Sequence, residues 1–193
     1  MHQIAVFVSG NGSNCERIIR HFAESEVGRV SLVVSNRADA FALQRADRLG
    51  VPAVVIEKGG WSDEQTVMNL LRSHGVDFIV LAGFLLKVPD YLVAAYDRRM
   101  VNLHPSLLPK YGGKGMWGHH VHEAVAAHHE QETGISIHYV SSEIDGGEII
   151  AQFRTPLSPN DTPATIEAKV HSLELAHFAK VIEETLLKVC SKD

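Results

Sequence analysis

The sequence predicts an α/β fold: a parallel sheet in the N-terminal half, antiparallel strands added in the C-terminal half, and a long C-terminal helix. Three observations carry this. Short apolar runs alternate with amphipathic segments through Ala82, the pattern of strands joined by crossover helices. An alternating run then appears at Ile135 to Val140, which suits a strand with one wet face. Last, an apolar stripe at helical spacing follows Thr162-Pro163.

Ile4 to Val8 is continuously apolar and reads as a strand buried on both faces. It is a first strand, not a signal peptide, because no basic leader or small-residue cleavage site accompanies it. Ser9 to Asn14 (SGNGSN) must turn, and Cys15 to Glu24 places Ile18, Ile19 and Phe22 at helical spacing. Val30 to Val34 is a second strand. Ala40 to Leu49 is a helix closed by Gly50, Ala53 to Ile56 a third strand, and Ser62 to Ser73 a helix that Ser62 or Asp63 can cap. Asp77 to Ala82 is the fourth strand. This βαβαβαβ order makes the sheet Rossmann-like, with right-handed crossovers.

In the second half, Pro89 to Tyr96 is a short helix with Pro89 at its first position, and Met100 to Leu103 is a short strand. Lys110 to Gly118 holds four glycines and reads as a long loop of the kind that is functional or mobile. His119 to Glu130 is helical. Ile135 to Val140 pairs with Glu148 to Arg154 across Asp145-Gly146-Gly147, a strong turn signal. Ile166, Val170, Leu173, His177, Val181 and Leu186 form the stripe of the last helix. No repeat or linker interrupts the chain, so residues 1–193 read as a single domain.

The chain has 193 residues, 45% apolar and 21% charged, an ordinary globular composition that excludes collagen-like, coiled-coil and disordered chains. Its net charge of −5 argues against non-specific nucleic-acid binding, which needs a basic surface. No apolar run approaches the ~20 residues of a membrane span. Cys15 and Cys190 are too few for a disulfide framework or a four-cysteine zinc site, and read as reduced thiols of a cytoplasmic protein.

Several motifs could carry chemistry. A glycine turn between strand and helix can bind an anion, or can be a tight turn without a ligand. The dinucleotide fingerprint fails here, because Cys15 stands where its third glycine belongs and Ser35, Asn36 and Arg37 follow the second strand. No P-loop occurs. Asn102 and His104 lie two apart on an extended segment, hence on one face, and offer an amide donor and a proton carrier. Taken alone, they also fit a polar loop, and Asp145 fits a plain turn residue. His119, His120, His122 and Glu123 lack the four-residue histidine spacing of H-E-x-x-H, so no metal is expected. His128 and His129 fall at a solvated helix end, while Trp61, Trp117 and Tyr111 read as packing residues.

Together the motifs point further. Gly10-Asn11-Gly12-Ser13-Asn14, Asn36-Arg37-Ala38-Asp39-Ala40, Leu81-Ala82-Gly83-Phe84, Asn102 to Pro109 (NLHPSLLP) and Ile144-Asp145-Gly146-Gly147 occur in this order. The chain thereby resembles the phosphoribosylglycinamide formyltransferase family from about Val6 to the last helix. The N-x-H-P-S and D-G-G motifs mark the wider folate-formyltransferase superfamily, and GNGSN narrows the branch.

The resemblance implies formyl transfer from 10-formyltetrahydrofolate, a co-substrate, to the amine of 5-phosphoribosylglycinamide in purine synthesis. It implies Asn102, His104 and Asp145 as catalytic residues, with Asp145 orienting His104 and raising its pKa. It implies Gly12, Ser13, Asn14, His171 and Glu174 for the ribonucleotide. It implies Leu85, Leu86, Lys87 and Val88, with Asn102, Ser141, Ser142, Glu143, Ile144 and Asp145, for the folate. His138, on the strand feeding the catalytic turn, is expected nearby. Small-molecule partners follow, with no metal, nucleic acid or membrane, in a monomer or homodimer. The alternative is another folate-dependent formyltransferase or a formyltetrahydrofolate hydrolase; a tRNA-directed relative carries a further C-terminal domain and the hydrolase an N-terminal one. Three departures fall mainly on the folate side: the longer loop from Gly112 to Gly118, Leu86 where an arginine is common, and no arginine near Asp63-Glu64.

Overall fold

The computed structural model describes residues 1–190, with side chains through Lys188, so the Cys190 thiol lies outside the described residues. Seven strands form one sheet: β1 (His2–Val8), β2 (Gly28–Ser35), β3 (Ala53–Val55), β4 (Phe78–Leu81), β5 (Met100–His104), β6 (Glu132–Tyr139) and β7 (Ile149–Pro156). Their order is β3-β2-β1-β4-β5-β6-β7. The pairs from β3 to β5 are parallel, whereas β5–β6 and β6–β7 are antiparallel.

Six helices cover the sheet: α1 (Ser13–Phe22), α2 (Phe41–Arg48), α3 (Glu64–Ser73), α4 (Asp90–Ala95), α5 (His119–Ala127) and α6 (Pro163–Cys190). The alternation within β1 shows how the layers divide. Ile4, Val6 and Val8 pack with residues of α1, α2, α5 and α6, whereas Ala5 and Phe7 pack with those of α3 and α4. All five are fully buried, each of the larger ones contributing ~1.5–3 kcal/mol. Asp63 Oδ1 accepts the Thr66 N–H at 3.1 Å and caps α3. Thr162 Oγ1 accepts the Thr165 N–H at 3.3 Å at the start of α6.

The structure departs from the sequence reading in four places. β6 has no wet face: Ser136 and His138, opposite Ile135 and Ile137, are as buried as those two. The chain from Ser106 to Leu108 covers that face, with Ser136 Oγ donating to Ser106 O and accepting from Leu108 N. Pro89 is the N-cap of α4, one place before the expected position. A 3₁₀ turn at Lys58–Ser62, absent from the periodicity, buries Trp61, whose indole N–H donates to Ile56 O at 2.7 Å. Trp117 is not a packing residue: it is half exposed and lines a cleft.

Candidate active site

β1 lies between β2 and β4, so the helices that follow β1 and β4 leave toward opposite faces and open a crevice beyond the carboxyl ends of the strands. A cleft of about 1070 Å³ occupies this place. Three strand ends meet in it: the turn after β1, the segment from Ala82 after β4, and the end of β5. α6, α5 and the glycine-rich loop close the other side.

At one end, Gly12 is the N-cap of α1 with φ +79°, and no side chain caps the helix, so its first N–H groups are available. A Cβ at Gly12 would stand 2.4 Å from the Ala42 Cβ, so glycine is needed for space as well as for φ. α2 pins this turn, since Ala42 N–H donates to Gly10 O at 3.1 Å and Arg45 Nε donates to Asn11 O at 2.9 Å. Asn14 Nδ2 donates to Glu174 Oε2 at 2.8 Å, linking α1 to α6. His171 Nδ1 reaches the same oxygen at 3.0 Å, and this carboxylate holds the imidazole above its ordinary range.

In the middle lie Asn102, His104 and Asp145. Asn102 Nδ2 donates to His138 Nε2 at 3.1 Å, and His138 Nδ1 in turn donates to Tyr139 O at 2.8 Å. This bond fixes the Asn102 amide and leaves it a second N–H. His104 Nε2 donates to Tyr111 O at 2.7 Å, and its Nδ1 stands 3.5 Å from Asp145 Oδ2. Asp145 accepts the Gly113 N–H at 2.9 Å and has φ +55°, a left-handed conformation that aspartate tolerates. Its turn is fixed by Gly147, where a Cβ would fall 1.7 Å from Tyr139 O.

The charges differ from expectation. Burial pushes the His104 pKa down and outweighs the opposing pull of Asp145, so the net shift is downward, not upward. Burial pushes Asp145 up, but the His138 ring, the His104 charge and the Gly113 N–H together hold it below its ordinary value. The resting pair is therefore a neutral imidazole beside a carboxylate.

At the other end Leu85, Leu86, Lys87 and Ile144 line the cleft, and Leu85 and Ile144 give it an apolar mouth with Trp117. The Leu85 N–H donates to Ser9 Oγ at 2.8 Å, and Ser9 Oγ donates to Asn36 Oδ1 at 2.6 Å, tying this segment to β1 and β2. Four sequence candidates do not line the cleft. Val88 is buried in the core beside α4, and Ser141, Ser142 and Glu143 lie outside the lining, with Ser141 Oγ donating to Glu143 O. Conversely, Arg45, Met116, His122 and Glu167 line it, although their sequence patterns gave no such signal. Among the described residues, no group of His, Cys, Asp or Glu side chains is placed to hold a metal ion.

A helix end with free N–H groups, the His104–Asp145 pair and an apolar mouth share one crevice of a Rossmann-like α/β fold. The chain belongs to the formyl transferase family, whose model matches residues 2–182. It is 35% identical over 191 residues to a phosphoribosylglycinamide formyltransferase of Bacillus subtilis, covering 96% of this chain and 95% of that one. It is 38% identical over 195 residues to the chloroplastic enzyme of that name from Arabidopsis thaliana, covering 95% of this chain; it spans 66% of that relative's length. The crystal structure of phosphoribosylglycinamide formyltransferase from Anaplasma phagocytophilum superposes with a TM-score of 0.88 at 29% identity, covering 97% of this chain and 88% of that one.

Proposed function

We propose that this chain transfers the formyl group of 10-formyltetrahydrofolate to the amine of 5-phosphoribosylglycinamide, with residues 1–193 acting as one formyltransferase domain. The observation that carries this is the convergence of Asn102, His104 and Asp145 between the glycine turn and the apolar mouth of one cleft. The ribonucleotide phosphate sits on the free N–H groups at the start of α1, with Gly12, Ser13 and Asn14 around it and His171 and Glu174 on the facing helix. The folate ring enters at Leu85, Leu86 and Ile144. Both substrates are small molecules, and no described helix is long and apolar enough to cross a membrane.

In the reaction the amine nitrogen attacks the formyl carbon, and the carbonyl oxygen becomes an oxyanion. The free N–H of Asn102 donates to it. The C–N bond to the folate then breaks, the amine loses a proton and the folate nitrogen gains one. His104 and Asp145 carry that proton traffic, the carboxylate stabilising the imidazolium while it exists. In the resting state both ring nitrogens of His104 face acceptors, Tyr111 O and Asp145. His104 therefore exchanges the Tyr111 carbonyl for the substrate, which couples the start of the glycine-rich loop to the chemistry.

The test is a formyl-transfer assay with both substrates, run beside one that omits the ribonucleotide. Formylated ribonucleotide made only when both are present is the expected result. Formate released equally without the acceptor points to a hydrolase, and no reaction in either assay rejects the reading.

A further inference from the structure

We propose that His122 is a further substrate-binding residue, whose imidazole hydrogen-bonds the ribosyl-glycinamide part of the ribonucleotide. The inference rests on the reaction proposed above and adds to it a residue that no part of that mechanism uses.

His122 is 3% exposed, yet its side chain lines the cleft. Its Nδ1 is buried without any hydrogen-bond partner. Buried imidazole nitrogens are almost always paired, and each that is not needs an explanation. The ring's flanking residues on α5, Val121 and Val125, are core residues, so a hydrophobic side chain would suit the position for packing alone. A histidine retained here is poised for a partner that arrives from the cleft.

Its surroundings say which partner. The charged groups acting on the ring are Glu167 and Glu174 of α6, His119 of its own helix, and His104. Glu174 belongs to the phosphate end of the cleft and His104 to the reacting centre. His122 lines the same cleft as both, and the sugar and the glycinamide amide must occupy the span between them if phosphate and amine reach those two points. These are neutral groups with hydroxyl and amide hydrogens. Burial holds the His122 ring in its neutral form, which can accept such a hydrogen at one nitrogen while the other donates. The folate is assigned above to Leu85, Leu86 and Ile144 and makes no demand on His122.

The experiment compares the full-length wild type with His122→Leu and His122→Asn, measuring calorimetric affinity for the ribonucleotide and for the folate separately, and thermal melting. Because no protein hydrogen bond is lost, His122→Leu is expected to melt no lower than wild type. It is expected to bind the ribonucleotide about tenfold more weakly, with folate affinity unchanged. His122→Asn, which keeps a polar group near the Nδ1 position, recovers most of that loss. Unchanged ribonucleotide affinity in His122→Leu overturns the inference. So does a lowered melting temperature with both ligands weakened alike, which marks a packing role. Failure of the wild type to bind the ribonucleotide at all overturns the functional reading itself, and the inference with it.

Discussion

His104 donates to the Tyr111 carbonyl, stands beside the Asp145 carboxylate and is enclosed by protein, and the enclosure wins. Replacing it by alanine should lower kcat by roughly a hundredfold to ten-thousandfold, with little change in KM, because a positioned proton carrier acts on the transition state. Asp145→Asn removes the one charge that opposes burial. The limb of the kcat–pH profile that reports His104 should then move to lower pH, and a shift to higher pH would contradict that sign. Since the two groups act as a unit, the double variant should lose little more than His104→Ala alone. Full additivity would separate Asp145 from His104.

At the scale of elements, the two segments that matter most obey opposite rules. The turn into α1 is rigid: φ +79° at Gly12, the contact with Ala42 and the Arg45 bonds to Asn11 leave it one conformation. Gly12→Val should weaken ribonucleotide binding by at least tenfold and folate binding far less, as read by titration of each ligand. Equal losses would show that the turn serves the fold and not the phosphate. The loop before α5 is the contrary case. Gly113, Gly115 and Gly118 all have positive φ, and its ties are few: Gly113 N–H to Asp145, Met116 N–H to Gly113 O, and His119 to Glu167. Few buried contacts mean low local stability. Amide exchange across residues 112–118 should be fast in the free protein and slow with both ligands bound; slow exchange in both states would show that the loop does not order on the ligands.

Across the whole molecule, burial of neutral histidines links stability to pH. His104 and His122 both have folded-state pKa values below the ordinary ~6.5. The unfolded chain binds their protons more readily, so the stabilisation is complete above the unfolded pKa and is lost as pH falls below it toward the folded values. His119 and His171, raised by Glu167 and Glu174, act in the reverse sense, and their contribution fades as pH rises. His119 and His171 are both partly open to solvent and screened, so the buried pair dominates. Melting temperature should therefore fall between pH 7 and pH 5, and His122→Leu should flatten that fall. An identical slope in wild type and variant would show that His122 carries none of it.

The linear sequence determined the elements, because periodicity and turn residues act locally. Apolar runs marked β1, β2 and β4; Gly50 and Asp63 marked helix ends; the Asp145-Gly146-Gly147 turn marked the return to β7. It also brought Asn102 and His104 to one face, since a two-residue spacing on a strand has that consequence by itself. Three other facts were decided only by the tertiary structure. β6 lost its wet face because a distant loop folded over Ser136. The His104 shift changed sign because desolvation depends on everything that surrounds a ring, not on its nearest partner. His122 entered the cleft and Val88 left it because the packing of α5 and α4 set their directions. Burial is a sum over atoms far apart along the chain, so no local pattern contains it.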